Sequence, residues 1–284
     1  MSHAPVRKLL SLGACPPGPV RTAMSLAAIS LTACVFGYRG EATFEATYPV
    51  DEIDVVRVDL GATPLTIVGD DMAPGLELTG TWRSIGGSAK LAREQALAPS
   101  ITWTADARFA ELLAVVPLAA QGQVDFEVDE IRLPPTLDLD LETALGDVSI
   151  LAVEGNISAD IGVGRVQIEG GAGGVAVRTG AGDLEIASTG SIDASTGNGG
   201  ARIWQEGAGG NDIVVDVRRG DIEIALRSDA NLDLQLRGRE IRVRTGTVST
   251  VSSGEFSRKV GGGSVKIWAD AQGGDVTVEL RDAP

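Results

Sequence analysis

The chain has 284 residues, 43% of them hydrophobic, which is enough to bury a sizeable core and too apolar for a disordered segment. Its formal charge of −15 repels nucleic acid and so disfavours a DNA- or RNA-binding role. Thirty-seven glycines against 4% aromatics point to an aliphatic core and a path that turns often, as in a protein of many short strands.

Residues 1–33 read as a leader. Arg7, Lys8 and Arg21 accompany an uncharged apolar run from Thr22 to Ala33, too short to span a bilayer comfortably as a helix. Leu31-Thr32-Ala33-Cys34 resembles the bacterial lipobox, in which small residues admit the peptidase before a lipid-modified cysteine. That resemblance implies cleavage before Cys34 and a membrane anchor of two or three acyl chains on it, stable at about 0.8 kcal/mol per buried CH₂. Val35 is not the aspartate linked to inner-membrane retention, so the expected location is the cell envelope at the outer membrane.

Removing the leader takes away His3 and Cys15 and leaves 21 basic against 39 acidic residues, a formal charge of −18. Without histidine or a second cysteine, the mature chain can form no His-based triad, no Cys-rich zinc cluster and no internal disulfide, and no cofactor is implied. Carboxylates are the main remaining reactive groups.

Residues 34–50 are expected to be the lipidated N-terminus and a tether, and 51–133 an N-terminal β segment. Val55 to Leu60 alternates as a strand, Gly61-Ala62-Thr63-Pro64 turns, and Leu65 to Val68 makes a second strand. Ser88 to Ala98 is a good helix former, with Ser88 as N-cap and Pro99 as stop, suited to cap or shield a sheet edge. Strands around Ile101–Trp103 and Leu112–Val116 follow.

From Ile131 onward glycines recur every eight or nine residues, at Gly146, Gly155, Gly164, Gly173, Gly182, Gly190 and Gly199, and then at Gly210 and Gly220. After every second one comes a phrase such as Gly146-Asp-Val-Ser-Ile, Gly164-Arg-Val-Gln-Ile or Gly182-Asp-Leu-Glu-Ile, 18 residues apart in the clearest copies. The reading for 134–284 is an all-β, single-stranded β-solenoid, each coil two short strands with glycine turns and aliphatic faces stacked into one narrow core.

Ile131-Arg-Leu-Pro-Pro-Thr-Leu-Asp-Leu-Asp-Leu-Glu-Thr-Ala-Leu-Gly-Asp-Val-Ser-Ile150 resembles the entry phrase of the bacterial "putative adhesin" domains of unknown function, which repeat Gly-Asp-Val along a β-solenoid. The likeness spans residues 51 to 282, is strongest from 131 to 224, and departs where Arg165 and Gly200 replace the turn aspartate. It implies an envelope or surface role and carries over no catalytic residues.

Among candidates for chemistry, the hexapeptide acyltransferase helix marks every sixth residue and generally needs a histidine, which sets it aside. Gly209-Gly-Asn-Asp212 looks like one copy of a calcium β-roll turn but lacks the tandem aspartates, so it reads as a plain turn and no metal site is assigned. Asp138, Asp140 and Glu142 would suit a carboxylate-based polysaccharide-active β-helix enzyme, the main alternative, yet outward acids are also what a solvated strand needs. Arg202-Ile-Trp204 and Lys266-Ile-Trp268 each turn a cation and an indole outward together, fit for sugar stacking or a protein contact, although the favoured expectation is that the helical segment or the tail covers both indoles. Arg242 and Arg244, with Arg237 and Arg239, form a basic cluster that can meet anionic glycans or pair with acids on neighbouring strands. The expected function is non-enzymatic: a lipid-anchored binding, adhesion or assembly surface with an envelope protein or glycan as partner. Envelope-stress sensing is a further alternative.

Overall fold

The computed structural model describes residues 38–61, 63–86, 88–97, 100–106, 108–115, 124–205, 211–227, 231–246 and 248–281. The leader and Cys34 lie outside the described residues. In chain order the elements are β1 (Tyr38–Tyr48), β2 (Val55–Asp59), β3 (Leu65–Gly69), β4 (Leu76–Gly86), α1 (Ala89–Leu97), β5 (Ser100–Asp106), β6 (Phe109–Val115), β7 (Val124–Leu133), β8 (Asp138–Leu145), β9 (Val148–Val153) and β10 (Asn156–Val163). They continue with β11 (Val166–Gly170), β12 (Gly174–Ala181), β13 (Leu184–Ser188), β14 (Ile192–Thr196), β15 (Ala201–Gln205), β16 (Ile213–Val217), β17 (Ile222–Arg227), β18 (Leu232–Thr245), β19 (Val248–Val260), β20 (Val265–Ala271) and β21 (Val276–Arg281).

Two parallel ladders face each other. The first runs β6, β2, β8, β10, β12, β14, β16, β20 and the N-terminal half of β18. The second runs β7, β3, β9, β11, β13, β15, β17, β21 and the C-terminal half of β18. Strict alternation sends one aliphatic residue per strand into the same column, such as Leu139, Ile157, Val175, Ile192, Ile213 and Ile267 in the first ladder. Ile150, Ile168, Ile186, Ile203, Ile224 and Val278 answer them in the second, and all twelve are buried. At about 1.5–3 kcal/mol per buried aliphatic side chain, these columns are the main stabilising element.

The expected single-stranded β-solenoid is not what forms. All strands belong to one 21-stranded mixed sheet that folds over on itself into a nearly closed barrel. Two features break coil-by-coil winding. After β17 the chain skips a position, lays down the antiparallel β18–β19 hairpin, and returns to insert β20 and β21 between that hairpin and β16 and β17. Then β18, with a register shift between Gly238 and Ile241, crosses from the first ladder to the second and merges them. The physical reason lies at the ends: a stack of coils leaves backbone donors and acceptors unpaired there. This chain continues its sheet at the ends with antiparallel strands, β4 and β1 beyond β7, β5 beyond β6, and β19 beyond β18.

A second difference is at the N-terminus. Residues 38–48, expected within a tether, are β1, paired with β4 along its whole length and burying Ala42, Phe44, Ala46 and Tyr48. Here the core turns aromatic: Phe44, Trp82 and Phe126 cluster with centroids 4.1–5.7 Å apart, and Tyr48 stacks on Trp103 at 4.9 Å. Helix α1 is N-capped by Ser88, whose Oγ accepts the Leu91 amide at 3.2 Å, and it lies on β1 and β4. Gly40 and Gly86 admit it, since a Cβ on either would strike the Ala92 backbone.

Candidate binding surface

Inward residues fill the core, so each ladder's outward residues form a broad outer face, and the two faces point away from each other. This separates the two motifs that look alike in sequence. Trp204 stands on the second ladder and Trp268 on the first. They are 46% and 39% exposed, so neither the helix nor a terminal strand covers them.

Trp204 sits in a cleared space. Its register neighbours are Ala187 on β13 and Ala225 on β17, whose methyl groups leave the indole standing above the sheet. From the β21 side, the Arg281 guanidinium lies 4.8 Å from the ring centroid, held by hydrogen bonds of 2.7 and 2.9 Å from its nitrogens to Glu279 Oε2. This cation–π contact steadies the ring. On the β11 side a depression of about 440 Å³ opens, lined by Trp204 with Gln167, Glu169, Glu185, Ala187 and Arg202 among others. Arg202 does not stack on the indole: its Nε donates to Glu223 Oε2 at 3.0 Å, and that bond holds its pKa above the ordinary guanidinium value. The site thus presents an aromatic face beside an amide, carboxylates and a fixed cation, which together donate and accept hydrogen bonds around an apolar platform.

Lys266 and Trp268 lie on the opposite face. The Lys266 amide donates to Asp212 Oδ1 at 2.9 Å, so Asp212, read from sequence as a plain turn residue, ties β20 to the turn before β16. Arg242 pairs with Glu240 on its own strand, Arg239 makes two bonds of 3.0 and 3.1 Å to Asp275, and Arg237 reaches Asp270 at 3.8 Å. Arg244 is exposed opposite Glu279 in register. The basic cluster is therefore mostly neutralised within the sheet, and Arg242 and Arg244 share the second ladder's outer face with Trp204 without joining its depression.

Two of the acids considered for polysaccharide cleavage are engaged within the sheet. Asp138 Oδ1 accepts the Asn156 amide at 2.7 Å and Glu142 pairs with Arg57 at 2.5 Å. Among the described residues Asp270 is the one buried carboxylate, so no two buried carboxylates converge, and no group of three or more potential ligands could hold a metal ion. Sequence reasoning missed Arg281, Gln167 and the two alanines. The alanines were legible in the aligned phrases Ile186-Ala187, Ile203-Trp204 and Ile224-Ala225. Arg281, which follows the repeated phrase on β21, carried no such signal.

No family model matches the chain, and no curated protein matches it. Among solved structures it is similar to a "putative cell adhesion protein" from Clostridium sporogenes, at 10% identity over 86% of this chain and 100% of that one, with a TM-score of 0.35. A "putative adhesin" from Bacteroides fragilis is 13% identical over 84% and 97%, with a TM-score of 0.38. A "putative lipid binding protein" from Parabacteroides distasonis is 10% identical over 84% and 96%, with a TM-score of 0.25. One of these, from Bacteroides fragilis, carries the adhesin name of the family that the sequence resembles. At such identities and scores they transfer neither a site nor an activity to this chain.

Proposed function

We propose that this chain is a non-enzymatic binding protein of the bacterial envelope, anchored by lipid on Cys34, whose rigid sheet contacts neutral saccharide through the Trp204 depression. The observation that carries the reading is the half-exposed indole itself: alanine on both sides in register, a cation fixed on one side, an open polar-rimmed depression on the other. Leaving a large aromatic surface in water is unfavourable, and a pyranose ring with its apolar C–H face and polar rim matches both parts of the site.

The test is calorimetric titration with a panel of neutral oligosaccharides (cello-, malto- and N-acetylchito-oligomers). At least one should bind the wild-type protein, and Trp204→Ala should weaken it about tenfold, the equivalent of about 1.4 kcal/mol, while melting unchanged. Absence of binding across the panel, or an unchanged affinity in Trp204→Ala, would overturn the saccharide reading.

A further inference from the structure

The first ladder's outer face holds a second depression, of about 480 Å³, with a different chemistry. Trp268, Phe256, Gln235, Arg237, Glu255 and Asp270 are among its lining residues. Asp270 lies between Asp216 and Arg237 in register, and Arg237 in turn faces Glu255 on β19. Two carboxylates, Asp270 and Glu255, therefore flank one guanidinium in register, and the charged lining residues carry a net negative charge.

Asp270 is the unusual member. It is only 7% exposed although it belongs to the outer face, and among the described residues no hydrogen-bond donor reaches its buried Oδ1. Its other oxygen has one cation nearby, Arg237 Nη1 at 3.8 Å, beyond hydrogen-bond distance, and the Arg237 side chain is 67% exposed. A carboxylate taken out of water and left without a donor is unfavourable, and a second cation with N–H groups would relieve it. Beside it, Trp268 offers an exposed ring face, while Phe256, in register with Leu236, packs inward against the core beneath.

We infer that this depression binds an amine-bearing pyranose, with the sugar ring on Trp268 and the protonated amine against Asp270, displacing Arg237 from the mouth. The carboxylates select the ammonium group and the indole selects the ring, so neither a neutral sugar nor a bare cation satisfies both. The site is separate from the Trp204 depression and stands or falls independently of it. With both occupied, the protein would hold glycans on two opposite faces.

The test uses the full protein with ¹⁵N-labelled indoles, Trp268 assigned through Trp268→Phe. It is titrated with a glucosamine oligomer at a pH where the amine is protonated, and with its N-acetylated counterpart. The glucosamine oligomer should shift the Trp268 indole resonance, and the N-acetylated one should bind at least tenfold more weakly at this site. Asp270→Asn should reduce glucosamine-oligomer affinity at least tenfold, and Trp268→Ala should abolish the binding. Asp160→Asn, an exposed acid on the same face outside the depression, should leave it unchanged and so separates the site from general attraction to an acidic protein. If Asp270→Asn fails to fold, Glu255→Gln at the exposed rim replaces it, with a smaller loss expected. Equal binding of the two oligomers, no loss in the rim and floor variants, or an equal Trp268 shift from a lysine-rich peptide would overturn the inference.

Discussion

Tyr48 shows how a single side chain can be well packed and still carry a cost. Its ring stacks on Trp103 and the residue is 2% exposed, yet its buried hydroxyl meets no hydrogen-bond partner among the described residues. Burial pushes the phenol up from 10.0 to about 12, because the low-dielectric surroundings oppose the phenolate. A raised folded-state value means that this contribution is fully present below pH 10 and is lost as the pH rises through 10 towards 12, where the unfolded chain ionises first. Tyr48→Phe should keep the ring contact, raise stability by about 1 kcal/mol, and flatten the stability profile across that alkaline window in urea titrations at stepped pH. Asp183 works in the opposite sense. Its Oδ1 accepts the Gly200 amide at 2.8 Å, as Asp147 accepts Arg165 and Asp221 accepts Asp275, each at 2.8 Å. Arg165 and Gly200, which depart from the family phrase, are thus the donor partners of aspartates one strand back. Asp183→Ala should cost about 1 kcal/mol in a denaturant titration.

At the scale of elements, the glycine that opens each phrase forms a corner where successive turns lie backbone on backbone. A Cβ on Gly164, Gly182, Gly199 or Gly220 would overlap the carbonyl oxygen of the preceding corner glycine, and all four have φ between 143° and 159°. The overlap is with backbone on both sides and cannot be relieved by a rotamer change. Gly182→Ala should therefore lose about 3 kcal/mol or more, seen as a fall of roughly 6–12 °C in melting temperature. Gly246→Ala is the matched control: its φ is 56° but nothing lies within 4 Å of the added atom, so only backbone strain of about 1 kcal/mol is expected. These corners explain why glycine spacing reports strand register. Neighbouring strands pair residues 18 apart at Ile157 and Val175, 17 apart at Val175 and Ile192, and 21 apart at Ile192 and Ile213. The helix was equally readable, because the Ser88 cap and the run of good helix formers act locally.

For the whole molecule, position matters as much as shape, and the anchor is the proposal that decides position. Cys34 precedes β1 by only a few residues, and β1 is bound into the sheet, so a lipid on Cys34 would hold the sheet close to the membrane rather than at the end of a long tether. Cys34→Ala should move the protein from the membrane to the soluble fraction after cell fractionation, with its melting temperature unchanged; retention in the membrane by a processed variant would end the lipoprotein reading. The sequence alone determined what is periodic or local: the in-and-out alternation, the glycine corners, the Ser88 cap and the outward indoles. Only the tertiary structure decided which strands lie side by side. Leu232-Asp-Leu-Gln-Leu and Val265-Lys-Ile-Trp-Ala alternate alike, so the local pattern lets either pair with β16, and the order is fixed by long-range pairing at the sheet ends. That order places Trp268 opposite Trp204 rather than beside it, brings Arg281 over the Trp204 ring, and buries Asp270 on a face where alternation predicts an exposed acid.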